Sequence, residues 1–188
     1  LLPLVLGLPI VLWPVHIAFL EMVIDPACSL VFEAESEEQD VMRRPPRPPN
    51  QPLFSPSLIA WSLLQGALAF ALVAAIFLAA SARGMPEEEV RALIFFSLVL
   101  AIVSLIFANR SFSASLIAAF GRPNAALALV LAAVAGMLAL ALLWPSARGL
   151  FRFGPLHAGD LALALGAGGL VLVLLELLKI PLNRLLGR

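Results

Sequence analysis

Long runs without charge, broken by short polar stretches, organise this chain. Five windows are long enough to matter: residues 10–32, 57–82, 91–109, 123–146 and 161–182. About 20 consecutive apolar residues carry an α-helix across the hydrocarbon core of a bilayer, and each window meets or nearly meets that length. Within a bilayer every backbone N–H and C=O must be satisfied inside the segment, which favours helices. The pattern therefore predicts an all-α, polytopic membrane helix bundle of about five transmembrane helices. Residues 1–8 read as the end of a preceding helix, turned by Gly7 and Pro9.

One window breaks its own pattern. In PVHIAFLEMVIDPACSLVF, Glu21 and Asp25 stand in the middle of an apolar span. A carboxylate at the centre of a bilayer costs roughly 3 kcal/mol or more. Their i,i+4 spacing puts both on one helix face. Pro26 has no N–H for the carbonyl of Met22, so it is expected to interrupt the regular helix and free an oxygen. Hard cations such as calcium take several oxygen ligands of these kinds. Glu21 and Asp25 are thus the candidate metal ligands. The structural alternative is a pair of neutralised acids used only in helix packing.

The remaining polar residues have plainer readings. His16 could relay protons or hold a metal, but beside Trp13 it reads more readily as a packed or interfacial histidine. Cys28 is the single cysteine, so there is no intrachain disulfide and no thiolate cluster for zinc. Gln65, Ser97, Ser104 and Asn109 suit hydrogen bonds between helices. Glu176 and Lys179 suit an interfacial pair with the lysine reaching toward water. Glu87, Glu88 and Glu89 suit a solvated helix start.

Composition agrees with a membrane protein: 62% of residues are hydrophobic and 13% charged, with a mean hydropathy of +1.02. A soluble domain of this size is not built this way. A net charge of zero gives no reason to expect a nucleic-acid partner. The chain lacks an initiating Met and opens inside an apolar run, so it reads as a piece of a longer chain. No basic segment with a cleavage site marks a signal peptide. The connector 33–56 opens acidic (EAESEEQD) and continues basic and proline-rich (RRPPRPPNQP), which suggests a stiff strap rather than a domain. With that connector cytoplasmic, eight basic residues fall inside (Arg43, Arg44, Arg47, Arg110, Arg122, Lys179, Arg184, Arg188) and four outside (Arg83, Arg91, Arg148, Arg152). The asymmetry favours this orientation and places the C-terminus in the cytoplasm. No glycine-rich phosphate loop and no aspartyl-phosphorylation motif is present.

Two stretches resemble a known family. LGLPIVLWPVHIAFLEMVIDPACS is similar to the end of the fifth and the whole of the sixth transmembrane helix of P-type cation-transporting ATPases. DVMRRPPRPPNQPLF resembles the strap that follows in calcium pumps, and ELLKIPLNRL resembles a stretch near their end. The resemblance implies that residues 1–188 are the carboxy-terminal transmembrane domain of such a pump. Asp25 aligns with an ion-binding aspartate, and Glu21 falls where calcium pumps carry an ion-binding asparagine. Ile24, Pro26 and His16 stand in place of a threonine, a glycine and a glutamine. LVLAIVSLIFAN lacks the acidic ligand that some calcium pumps carry. What the resemblance implies is a site built from Glu21, Asp25 and groups on other helices, reached by alternating access and filled by a divalent cation such as calcium. ATP and magnesium would belong to the parent chain's cytoplasmic headpiece, which with the remaining transmembrane helices and the lipid bilayer makes up the partners. A plasma-membrane location is expected. Two rival functions are a non-catalytic assembly subunit and a proton-coupled secondary transporter.

Overall fold

A computed structural model describes residues 2–7, 10–35, 55–110 and 124–185; at residues 2, 23, 25–28 and 180–185 the backbone alone is described. Most of the 33–56 connector, with Arg43, Arg44 and Arg47, lies outside the described residues, as does Arg122. Among the described residues the chain is all-α, with seven helices and no strand. They are α1 (Leu2–Val5), α2 (Pro14–Glu33), α3 (Pro56–Ala82), α4 (Glu87–Asn109), α5 (Ala125–Leu143), α6 (Pro145–Phe151) and α7 (Ala158–Leu185). Four of them, α3, α4, α5 and α7, are long and apolar enough to cross a membrane.

Local chemistry sets the helix starts. The Ser55 hydroxyl accepts the Leu58 N–H at 3.2 Å, and Pro56 follows at the first helical position, where a missing donor costs nothing. Asn124 caps α5 in the same way, its Oδ1 accepting from Leu127 N–H at 2.9 Å. Glu87, Glu88 and Glu89 occupy the first turn of α4, where negative charge meets the positive end of the helix dipole. Gly7 takes φ +67° after α1, a conformation open to glycine.

Two boundaries depart from the hydropathy windows. The window 123–146 is cut short: Trp144 is extended (φ −87°, ψ 117°) and Pro145 starts the separate helix α6. A residue before proline is pushed out of the helical region, so the proline ends one helix and begins the next. In α4 the helix begins before the first basic residue, which leaves Arg91 inside the helix and buried.

Helix α4 is the centre of the bundle. Two-thirds of its apolar window (67%) is buried, against 28% in each of α3, α5 and α7. It packs most extensively on α7, then on α3, and also touches α2, while α5 packs on α2 and α6. Phe95, Leu93 and Val99 of α4 are fully enclosed. At the Asn109 end, Trp61, Ala108, Val171 and Leu175 form a smaller cluster between α3, α4 and α7. Outward leucines such as Leu63, Leu165 and Leu177 are exposed, as lipid-facing positions should be.

Close approach depends on glycine on two sides of α4. Added to Gly168 of α7, a Cβ would stand 3.1 Å from Leu100 Cβ and 3.3 Å from Leu100 O. Gly154, after α6, donates its N–H to Glu88 O at 2.8 Å, and a Cβ there would fall 2.7 Å from both Glu89 N and Glu89 Cγ. Gly154→Ala is therefore expected to push α6 and its loop off the start of α4, at a cost of about 1–3 kcal/mol. Gly66→Ala, where nothing lies within 4 Å, should be neutral. Thermal midpoints of the two purified variants test this; equal midpoints would mean that the contact at Gly154 yields freely.

Candidate ion site

The site must be built from α2, because both candidate acids lie on it. The helix is pinned at each end. At its start, Trp13 N–H donates to His16 Nδ1 at 3.0 Å, which requires that nitrogen to be unprotonated. The proton therefore sits on Nε2, which donates to Phe151 O at 3.0 Å. His16 is 1% exposed and is ringed by Phe95, Phe151 and Phe153, with centroids 5.3–5.6 Å away. Phe19, one turn along, meets Phe95 and Phe151 edge-on. Both ring nitrogens are occupied, so His16 is a packing residue here and offers no lone pair to a metal.

Residue Arg91 ties the same end to α4. Its Nε donates to Val11 O at 3.0 Å and its Nη1 to Arg152 O at 2.8 Å. Arg152 stands in the left-handed region (φ 49°), costly for a residue with a Cβ. Its guanidinium lies 4.4 Å over the Trp13 ring, a cation–π contact that, with the bond to its carbonyl, holds the conformation. At the other end of α2, Glu35 forms an ion pair with Arg110 at 2.8 Å, and Asn124 Nδ2 donates to Val31 O at 3.1 Å.

Pinned in this way, α2 turns His16, Leu20 and Val31 inward. Ile17, Glu21, Met22, Ser29 and Phe32 are exposed, so Glu21 lies on a helix face that no described element covers. Asp25 is one turn further along the same helix, and its side chain, like that of Cys28, lies outside the described residues. The expected interruption at Pro26 is absent: α2 runs as one helix of 20 residues through it. Proline removes one hydrogen bond, but the flanking turns and the anchors at both ends keep the backbone helical.

Other polar groups of the bundle are already engaged. Ser104 Oγ is 2.8 Å from both Leu100 O and Gly168 O. Gln65 and Asn109 exchange amide hydrogen bonds at 3.0 and 3.2 Å, and Asn109 Nδ2 also reaches Leu105 O at 2.8 Å. Ser97 Oγ is buried without a partner among the described residues. Lys179 corrects the expectation of a lysine reaching toward water: it is 7% exposed and donates to Glu176 Oε1 at 2.6 Å. Three or more His, Cys, Asp or Glu side chains gathered as a metal site are not found among the described residues. Glu21 thus belongs to no such group among the described residues.

Comparison with known proteins gives the family. A family model described as cation transporting ATPase, C-terminus, matches residues 9–180. No curated protein matches the chain.

The pinning of α2 makes a test of its own. His16→Phe keeps the ring volume but leaves Trp13 N–H and Phe151 O without a side-chain partner inside an aromatic cluster, which should cost ~1–3 kcal/mol. His16→Gln, which can still reach one of them, should cost less. A thermal midpoint unchanged in His16→Phe would remove the histidine from any role in holding α2.

Proposed function

The chain belongs to the carboxy-terminal family of cation-transporting ATPases, and on that premise we propose that Glu21 and Asp25 form part of the ion-binding site of an ATP-driven pump. The membrane part of a cation pump must give a charged ion a path through hydrocarbon. The observation that carries the reading is the uncovered face of α2. A carboxylate exposed in a membrane-spanning helix is expensive unless other helices or a water-filled path meet it. Glu21 is on the one side of α2 that α4 and α5 leave open, and Asp25 follows it by one turn on the same helix. Transmembrane helices of the parent chain would cover this face and bring further oxygens.

In this reading the transported ion is foremost a divalent, hard cation, with calcium first, and manganese, magnesium and proton or potassium transport behind it. Carboxylate oxygens suit divalent, hard ions, and the carbonyl of Met22 adds an acceptor because Pro26 gives it no N–H. ATP and magnesium act in the cytoplasmic headpiece, which meets the 33–56 connector, and cycles of phosphorylation open the site to either side in turn. The orientation has that connector and the C-terminus in the cytoplasm of a plasma-membrane pump.

Ion-activation curves for phosphorylation from ATP in the full-length protein test the site. Asp25→Asn should abolish or greatly weaken ion-dependent phosphorylation, since it keeps the shape and removes the charge. Glu21→Gln should do so to a similar or lesser degree. Glu176→Gln, which touches the buried lysine at the far end of α7, should change thermal stability rather than ion affinity. Wild-type ion affinity in Asp25→Asn would put the site elsewhere and leave the acids a packing role.

A further inference from the structure

Three separated parts of the chain converge on one carboxylate. Glu35 stands where α2 has ended and the connector begins. Arg110 follows α4, and Asn124 caps α5. The Arg110 guanidinium grips Glu35 at two points, Nε to Oε2 at 2.8 Å and Nη2 to Oε1 at 3.1 Å. Asn124 Nδ2 donates to the same Oε2 at 3.0 Å and to Val31 O at 3.1 Å, while its Oδ1 takes the Leu127 N–H. The Arg110 side chain is 2% exposed and that of Glu35 15%. A two-point pair between planar groups fixes orientation as well as distance, and enclosure protects it from screening by salt.

The position of this clasp gives it a direction of action. The connector is joined to the bundle by the chain itself at α2 and at the Ser55 start of α3, and the clasp adds a side-chain route from its α2 end to parts of the bundle that neither junction touches. By that route a displacement of the connector reaches Arg110, and through Arg110 the end of α4, the most enclosed helix, which packs on α2, α3 and α7. It reaches the first turn of α5 through Asn124 at the same moment. The amide pair of Asn109 with Gln65 adjoins Arg110 in sequence and extends the link to α3.

We propose that Glu35, Arg110 and Asn124 form a strut that passes movement of the connector into α4 and α5, so that the conformational step after phosphorylation depends on it and ion binding does not. Glu35 and Arg110 are positioning residues: neither lies on the α2 turn that carries Glu21 and Asp25. The proposal rests on the reading of the chain as part of an ATP-driven pump whose headpiece meets the connector.

The test uses the full-length pump in proteoliposomes, with calcium as the probe ion. Glu35→Gln replaces one gripping oxygen by an amide that faces a cation, and Arg110→Lys keeps the charge but loses the fork. Each should slow steady-state turnover by about tenfold, the effect of losing one charge-assisted two-point contact. The calcium concentration for half-maximal phosphorylation should stay within about twofold of wild type, and phosphoenzyme should accumulate. Because both variants break one link, the double variant should be no slower than the worse single one. Wild-type turnover in both variants would overturn the strut. So would a parallel loss of calcium affinity, turnover and thermal midpoint, which is what a merely structural contact gives. If Glu35→Gln does not fold, Arg110→Lys carries the same measurements, and the same outcomes support or overturn the strut. Absence of calcium-dependent phosphorylation in the wild-type protein, with phosphorylation restored by another cation, would correct the ion and leave the strut to be measured with that cation. Absence with every cation overturns the pump reading, and the strut with it.

Discussion

Helices in a bilayer gain little from hiding apolar surface from one another, because lipid is as apolar as leucine. What specifies the arrangement here is the set of polar and close-packed links that α4 makes. Arg91 reaches backward to the carbonyls of Val11 and Arg152. Ser104 bridges to Gly168 of α7, Asn109 locks amides with Gln65 of α3, and Arg110 closes on Glu35. Each link joins α4 to a different part of the chain, and together they span its length. Shape complementarity at Gly168 and Gly154 lets the backbones come near enough for these bonds to form.

The same links explain why α2 presents one face and hides the other. A helix held at both ends cannot rotate about its axis to bury a charge. Glu21 is therefore kept on the open side by contacts more than a turn away from it, the aromatic nest around His16 at one end and the Glu35 pair at the other. In a membrane protein an outward acid would be a defect if the bundle ended there. The proposed reading turns it into an edge for further helices of a cation ATPase.

Much of the architecture was legible because membrane spanning leaves a coarse record in hydropathy: uncharged runs near the required length mark α3, α4, α5 and α7. The resemblance carried by LGLP and RRPPRPP led to the family that the match over residues 9–180 shows. What escaped was set by single residues or distant partners. Pro145 divides a run that hydropathy reads as continuous, and Arg91 looks like a loop charge until its backbone partners are known. Pro26 suggests a broken helix, which anchors far from it prevent. Glu35 and Arg110 lie 75 residues apart, with nothing in either neighbourhood to pair them. Of the two candidate site residues, Glu21 is placed on an uncovered face, while the side chain of Asp25 lies outside the described residues.

Asn124 serves two masters, and this narrows what evolution can write there. Most helix starts accept serine, threonine, aspartate or asparagine almost interchangeably, since each offers an oxygen to the first turn. At this start the side chain must also donate an N–H to a carboxylate. Aspartate would cap the helix but set a second negative charge against Glu35; serine or threonine would cap it but lacks the reach to serve both ends. The four ordinary choices collapse to one, and a position that looks like generic punctuation in the sequence becomes as constrained as a ligand.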